Sequence, residues 1–186
     1  MNSIKKYYDR HSLVYDFTRK LFLFRRTELI NNVNLHNYGN VLEVGVGTGS
    51  ILSKINSKCK TGIDLSQKML NIASKKDKSM ILINSDFKSY QFDEKFDCVI
   101  FSYSLSLMED SKQILKNTKD VLKTSASIYI LDFYDIANFY KPYFALHNIK
   151  IKENLFKLMQ NNFSISGNSI KRHFLGLNLF RLLGKF

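Results

Sequence analysis

The chain's most informative stretch is Val41-Leu42-Glu43-Val44-Gly45-Val46-Gly47-Thr48-Gly49-Ser50, in which an apolar run breaks into three alternating glycines. Glycine at every second position lets a strand turn sharply into a helix and lets backbone N–H groups approach a ligand. A second apolar run follows and ends in the carboxylate of Asp64. An acid at that place is typical of a group that holds the hydroxyls of a ribose. The two runs together predict a parallel α/β sheet with a nucleotide-cofactor loop.

The spacing of these glycines differs from the dinucleotide fingerprint. That fingerprint is G-x-G-x-x-G and opens a helix N-terminus onto a pyrophosphate, whereas this chain has G-x-G-x-G preceded by Glu43. A carboxylate would repel a pyrophosphate and attract an ammonium or sulfonium group. The loop therefore favours a ligand that combines a nucleoside with a positive charge.

At these positions the chain resembles the class I S-adenosylmethionine-dependent methyltransferases, whose first motif is E/D-x-G-x-G-x-G. Glu43, Gly45, Gly47 and Gly49 match that motif, and Asp64 matches the ribose-binding acid of the family. The resemblance implies that these residues, together with Val46 inside the loop, bind S-adenosylmethionine and release S-adenosylhomocysteine as the product.

The resemblance implies further cofactor contacts after the next strands. Asp86 corresponds to the acid that meets the adenine amino group, and Phe87 would lie beside the ring. Leu65 and Met69 would cover the other face of the adenine, although an apolar pair there could also fill a seam between helix and sheet. Phe101 is expected at the carboxyl end of the fourth strand, where open α/β sheets bind ligands.

Apolar runs of strand length alternate with helix-like patterns from Val41 onward, as in a parallel sheet covered on both faces. Strands are predicted near 40–45, 60–64, 80–84, 96–102 and 127–132, with later strand-like pieces near 163–166 and 171–183. A short helix is predicted after the glycine loop, one capped by Ser66, one that begins at Asp110 and buries Val121 and Leu122, and one around 151–160. The fold prediction is a single Rossmann-like, seven-stranded, mostly parallel sheet with helices on both faces, in a domain at 37–186 preceded by an N-terminal helical lid at 1–36.

Length and composition favour one domain with a real core, since the chain has 186 residues of which 45% are hydrophobic. The two cysteines, Cys59 and Cys98, lie in or beside apolar runs without metal-ligand spacing, and we expect no metal site. We find no secretory signal pattern and no apolar stretch near the roughly 18 residues that a membrane span needs. A cytoplasmic protein is expected.

Positive charge is concentrated in the flanks of the predicted cofactor core. Residues 1–30 carry seven Lys/Arg and three Asp/Glu, residues 133–186 carry eight and two, and residues 31–132 carry thirteen and eleven, within a net charge of +12. Residues 12–30 also mix aromatic and aliphatic side chains with basic ones in a helix-compatible pattern, which suits an anionic membrane surface. The same pattern also fits a lid helix that packs its aromatic side chains on the domain.

The glycine loop is similar to that of bacterial phosphatidylethanolamine N-methyltransferases. Three stretches resemble bacterial N-methyltransferases that make betaine lipids by trimethylating diacylglyceryl-homoserine. They are Tyr15-Asp16-Phe17-Thr18-Arg19-Lys20, Ser102-Tyr103-Ser104-Leu105-Ser106-Leu107-Met108 and Leu131-Asp132-Phe133-Tyr134. The resemblance implies a lipid head-group amine as acceptor and peripheral association with the inner face of the membrane. Tyr15 and Tyr103 are the predicted catalytic tyrosines, with Tyr7 and Tyr8 as further candidates, and Asp132 is predicted to steer the ammonium head group.

Two other functions stay open at this point. Methyltransferases that act on quinone precursors or other small hydrophobic molecules share the cofactor core and a tyrosine near the start. The net charge of +12 also suits a nucleic-acid-binding protein. The chain has no aromatic-basic repeat, however, and nucleic-acid binding would leave the cofactor motif unexplained.

Overall fold

The structure is a computed structural model, and it describes residues 25–133, 163–165 and 177–183. Most of the predicted lid, including Tyr15, Tyr7 and Tyr8, lies outside the described residues, as does the helix predicted around 151–160. Those predictions are therefore untested.

Five parallel strands form the centre of the fold. They are β1 (Asn40–Val44), β2 (Cys59–Asp64), β3 (Ile81–Asn84), β4 (Phe96–Ser102) and β5 (Leu122–Phe133). Their order across the sheet is β3-β2-β1-β4-β5, and every neighbouring pair is parallel. The predicted α/β class and the positions of β1 to β4 are confirmed. The order reverses at β1, which lies between β2 and β4, and ligands bind at such a switch point in open α/β sheets.

Two short segments extend the sheet beyond β5. The first is β6 (Ser164–Ile165) and the second is β7 (Leu177–Leu183). The backbone of β7 pairs antiparallel with β5 on one side and with β6 on the other. The segments that would connect them to β5 and to each other are not described, so the complete seven-stranded topology stays a prediction.

Three α-helices and two short 3₁₀ turns accompany the strands. The helices are α1 (Arg26–Asn34), α2 (Gln67–Lys76) and α3 (Ser111–Asp120), and the 3₁₀ turns are Leu52–Lys54 and Leu105–Leu107. Ser66 caps α2 by accepting a hydrogen bond from the Met69 amide, and Asp110 caps α3 by accepting one from the Gln113 amide. Both predicted caps are confirmed, since a polar side chain at each helix start satisfies an otherwise unbonded amide.

Two sequence predictions need correction. The helix expected after the glycine loop is only a 3₁₀ turn. The predicted helix at Asp110 ends at Asp120, so Leu122 belongs to β5, which begins five residues before the predicted strand at 127. Leu122 pairs with Phe96, and the pairing then shifts register before Ser127 through Ser125, whose φ is +65°. Because the residues of this bulge are polar, no apolar run marks the start of the strand in the sequence.

The apolar core lies on both faces of the sheet. One cluster includes Val41, Leu70 and Tyr129, and the other includes Leu42, Phe101 and Ile128. Leu29 and Val33 of α1 are 0% and 1% exposed and belong to the first cluster. The C-terminal part of the predicted lid is thus packed into the core of the domain. None of the helices that the structure describes is long and apolar enough to cross a membrane.

Candidate functional site

A large cavity opens at the carboxyl ends of β1, β2, β3 and β4. Its volume is about 1180 Å³, part of which is open to solvent. Its wall contains four acidic and two basic side chains among apolar and hydroxyl-bearing ones. The charged lining residues are Arg26, Glu43, Asp64, Asp86, Lys88 and Glu109.

The glycine loop is held tightly at its first glycine. The Gly45 amide donates to the Ile63 carbonyl over 2.8 Å, and the Ser104 hydroxyl donates to the Val44 carbonyl over 2.7 Å. Gly45 has a φ of +74°, and a Cβ there would lie 2.5 Å from the Ser104 Cβ. Only glycine fits between the end of β2 and the residue that follows β4.

Asp64 connects the glycine loop to the start of α2. One carboxylate oxygen accepts from the Gly47 amide over 2.8 Å and the other accepts from the Ser66 amide over 2.9 Å. The side chain lines the cavity at the end of β2. A carboxylate oxygen can accept a further hydrogen bond beside each of these, so Asp64 is oriented to receive a pair of hydroxyls.

Glu43 is buried beneath the loop, with 2% of its surface exposed. Its carboxyl accepts a hydrogen bond from the Leu52 amide over 3.0 Å. Burial raises the pKa of Glu43 to about 8, against a smaller lowering by the nearby charge of Arg26. The sequence argument took Glu43 to be a carboxylate at neutral pH. The structure corrects this, because the group keeps its proton until a cation in the cavity stabilises the ionised form.

The predicted adenine contacts come together on one side of the cavity. Leu65, Met69, Asp86 and Phe87 all line it. Asp86 accepts a hydrogen bond from the Lys88 amide over 3.0 Å, which orients its side chain. Phe87 is 4% exposed and packs against other aromatic rings, so its position is fixed by the core. The contact of these four residues with adenine stays a prediction.

Two predicted cofactor residues occupy other positions. Phe101 is fully buried in the core, and its ring lies 6.4 Å from that of Phe87 in an edge-on arrangement. Phe101 therefore packs against Phe87 from within the core. Gly49 has a φ of +69°, and a Cβ there would lie 2.9 Å from the Cβ of Ala73. This third glycine allows the loop to approach α2 closely, while Gly45, Val46 and Gly47 form the cavity wall.

Tyr103 lies at the cavity as predicted, in a left-handed backbone conformation with a φ of +54°. Its amide donates to the Leu131 carbonyl over 2.7 Å, and the residue is 2% exposed. This conformation costs a bulky residue about 1–3 kcal/mol, and such strain is concentrated at functional sites. The strained turn places Tyr103 in the wall of the cavity.

Asp132 lies behind this turn. Its carboxylate is 1% exposed and accepts a hydrogen bond from the Ser106 amide over 2.8 Å. It is buried beneath the 3₁₀ turn after β4 and does not belong to the described cavity wall. The predicted contact between Asp132 and a head group is therefore replaced by a positioning role for the turn that carries Tyr103.

Sequence reasoning missed Arg26 and Glu109 as cavity residues. It assigned Arg25 and Arg26 to a membrane-binding surface. In the structure, Arg25 forms a bidentate ion pair with Glu28, with N–O distances of 2.7 and 2.8 Å. Arg26 lines the cavity and donates to the Ser50 hydroxyl over 2.8 Å. No local motif marks Arg26, because it reaches the glycine loop only through the packing of α1.

Comparison with known proteins agrees with this geometry. Residues 41–125 match a family described as a methyltransferase domain. Residues 41–125 are therefore similar to a methyltransferase domain. The chain is 30% identical over 138 residues to the demethylmenaquinone methyltransferase of Thermotoga maritima, covering 67% of this chain and 59% of that protein. It is 34% identical over 92 residues to protein MJ1123 of Methanocaldococcus jannaschii, covering 50% of this chain and 43% of that protein.

The chain also has the fold of solved methyltransferase structures. One is the N-methyltransferase NodS of Bradyrhizobium japonicum in complex with S-adenosylhomocysteine, with a TM-score of 0.71, 16% identity, and coverage of 86% of this chain and 85% of that one. The cavity fits S-adenosylmethionine, because the cradle at Gly45 excludes any side chain and two amide-oriented carboxylates line the wall.

Proposed function

We propose that the protein transfers a methyl group from S-adenosylmethionine to an amine, and that this amine belongs to the head group of a membrane lipid. The observation that supports the amine assignment is that a tyrosine with a left-handed backbone conformation, Tyr103, and a carboxylate, Glu109, both line the cavity. A tyrosine face and a carboxylate both attract an ammonium group.

The described residues would hold the cofactor along the cavity. Asp64 would accept hydrogen bonds from the ribose hydroxyls, Asp86 would meet the adenine amino group beside Phe87, and Glu43 would meet the ammonium of the methionine part. Each carboxyl lines the cavity and accepts a backbone N–H, so little reorganisation is needed on binding. Preorganised groups lose less free energy to ordering when the ligand arrives.

Direct displacement is the chemistry that these residues support. The amine lone pair forms the new N–C bond as the S–C bond breaks, and the bonding electrons stay on the departing sulfur. Removing a proton from an amine with a pKa near 10 costs about 4 kcal/mol at pH 7. Holding the reacting atoms in line can contribute on the order of 7–11 kcal/mol. Positioning by Tyr103, and by the predicted Tyr15, is therefore the larger contribution.

The lipid acceptor is supported by the basic flanks. With Arg25 paired to Glu28 and Arg26 in the cavity, five Lys/Arg and two Asp remain in residues 1–24. That segment precedes α1, whose first residue lines the cavity. A basic, aromatic segment that leads into the cavity would bring the cavity to an anionic bilayer surface.

Methylation of a quinone precursor is the second candidate. It is favoured by the identity with a demethylmenaquinone methyltransferase over 138 residues. Carbon methylation needs a base beside the acidic phenol, and Glu109 is the carboxylate that could serve. An ammonium acceptor needs Glu109 only as a counter-charge. Amine methylation and quinone methylation would therefore use the same residue and are distinguished by their products.

The experiment that tests the proposal is incubation of the protein with methyl-labelled S-adenosylmethionine and a total lipid extract, followed by separation of the products. Label in lipids with an amine or quaternary ammonium head group is expected. Label only in quinones would replace the proposal with the second candidate. The absence of label from every lipid fraction would contradict both.

Tyr103→Ala is expected to lower turnover at least tenfold in this assay while it changes the Kd for S-adenosylmethionine by less than about threefold, because Tyr103 is proposed to shape the acceptor side of the cavity. Steady-state rates and calorimetry measure the two quantities. An equal loss in both would assign Tyr103 to the cofactor site or to the core, where it is also buried.

Peripheral membrane binding is expected to depend on Arg19 and Lys20. Basic residues near an anionic surface contribute about 1 kcal/mol each at best, so replacing both with Gln should weaken co-sedimentation with anionic vesicles roughly tenfold at low salt. Arg25→Gln is the matched control, since Arg25 pairs with Glu28, and it should have little effect. Wild-type protein that stays in the supernatant would contradict the prediction.

A further inference from the structure

Arg26 lies between the two walls of the cavity. It is the first residue of α1, and its guanidinium donates to the Ser50 hydroxyl of the glycine loop over 2.8 Å. On the other side, the guanidinium carbon lies 5.9 Å from the centre of the Tyr103 ring. Arg26 therefore joins the loop that follows β1 to the strained turn that follows β4.

The charge of Arg26 acts at the same end of the cavity as Glu43. It is the largest influence that opposes the effect of burial on the Glu43 carboxyl. This end therefore presents one group that can carry negative charge and one that is always positive. A ligand part with an ammonium and a carboxylate on one carbon is complementary to both.

We infer that Arg26 binds the α-carboxylate of the methionine part of S-adenosylmethionine, so that Arg26 and Glu43 together select the amino-acid end of the cofactor. The inference rests on the proposed function. A guanidinium presents several N–H donors in a planar fork that matches carboxylate geometry. Its hydrogen bond to Ser50 holds that fork at the cavity wall before the ligand arrives.

Specificity against ligands without the carboxylate follows. Decarboxylated S-adenosylmethionine keeps the nucleoside, the sulfonium and the amine, so it differs from the cofactor only in the group assigned to Arg26. Its remaining charges are all positive, and Arg26 would repel them. Arg26 therefore favours the intact cofactor in two ways: it attracts the carboxylate, and it repels the decarboxylated form.

The experiment compares both ligands by calorimetry on four proteins: the wild type, Arg26→Gln, Arg26→Lys and the control Arg25→Gln. The wild type should prefer intact S-adenosylmethionine by ten- to a hundredfold, the range expected for hydrogen bonds between charged groups. Arg26→Gln should lose most of that preference and bind the decarboxylated form as well as the wild type does, or better. Arg26→Lys should keep part of it, because it retains the charge without the fork.

The Arg25→Gln control separates cavity chemistry from net charge. Arg25 is adjacent in sequence and carries the same charge, but it pairs with Glu28, so the ligand preference should match that of the wild type. If Arg26→Gln weakens both ligands equally, Arg26 only supports the packing of α1 and the inference is wrong. If the wild type binds both forms equally, the inference fails while the proposed function stands. Absence of any binding to S-adenosylmethionine would overturn both.

Discussion

Glu43→Gln is expected to weaken S-adenosylmethionine binding by roughly a hundredfold and, at the same time, to stabilise the folded protein at pH 8. Glutamine keeps the shape of the side chain and can still accept the hydrogen bond from the Leu52 amide. It lacks the negative charge that would meet the cofactor's ammonium, and hydrogen bonds between charged groups contribute about 1.5–3 kcal/mol each. If Glu43 had only a structural role, Glu43→Gln would not weaken cofactor binding while it stabilises the folded protein.

The stability effect follows from the raised pKa of Glu43. The folded protein keeps the proton until about pH 8, whereas the unfolded chain releases it near the ordinary value of 4.5. Between these pH values the folded state binds more protons, so the free energy of unfolding falls as pH rises from about 4.5 to 8. The loss for this one group is on the order of 4 kcal/mol. Glu43→Gln removes this contribution, and urea unfolding of both proteins at pH 5 and pH 8 measures it.

Cofactor binding should become tighter as pH rises, because it requires the ionised form of Glu43, whereas folding favours the protonated form. Below pH 8 the bound cation drives the proton from Glu43, so the wild-type Kd should fall as pH rises from 6 to 7.5, with release of up to one proton. Calorimetry in two buffers of different ionisation enthalpy counts that proton. Glu43→Gln should show no such release. A wild-type Kd that does not change over this range would mean that Glu43 does not ionise on binding.

Asp64→Ala is expected to weaken cofactor binding by roughly a hundredfold or more. It removes the proposed acceptor of the ribose hydroxyls, each such bond being worth about 1.5–3 kcal/mol. It also leaves the Gly47 and Ser66 amides without the carboxylate that now joins them. The glycine loop should then lose part of its preorganisation, which adds to the loss.

Asp64→Asn and Asp77→Ala serve as controls for that effect. Asparagine can replace one of the two amide contacts and should give an intermediate Kd. Asp77 forms an ion pair with Lys60 at the end of α2, and that contact holds the pKa of Asp77 at about 2. Asp77→Ala should leave the Kd for S-adenosylmethionine unchanged. A folded Asp64→Ala protein with wild-type affinity would exclude Asp64 from the cofactor site.

Much of the central sheet and of the cofactor site could be predicted from the sequence, because both depend on local patterns. The short apolar runs define β1 to β4, and the carboxyl end of each strand brings its polar residue to the same edge of the sheet. Glu43, Asp64 and Asp86 line one cavity for this reason. Ser66 and Asp110 were identifiable as helix caps, since capping depends only on the residues of the first helical turn.

The remaining features depend on packing between distant parts of the chain. Phe101 follows the alternation of a strand, but which face of the sheet it occupies is decided by its contact with Phe87. Gly49 belongs to the motif, yet its neighbour in space is Ala73 of α2. Arg26 lies 24 residues from Ser50, and its basic neighbours suggested a surface. In each case a tertiary contact overrides the local pattern.

The central claim is that the glycine loop, Glu43 and Asp64 form a site for S-adenosylmethionine. Calorimetric titration of the wild-type protein with S-adenosylhomocysteine, and separately with a nicotinamide dinucleotide, tests this most directly, because the two ligands share an adenosine and differ in what it carries. We expect saturable binding of S-adenosylhomocysteine at one site per chain and no measurable binding of the dinucleotide. Preference for the dinucleotide, or no heat with either ligand from a folded protein, would contradict the account.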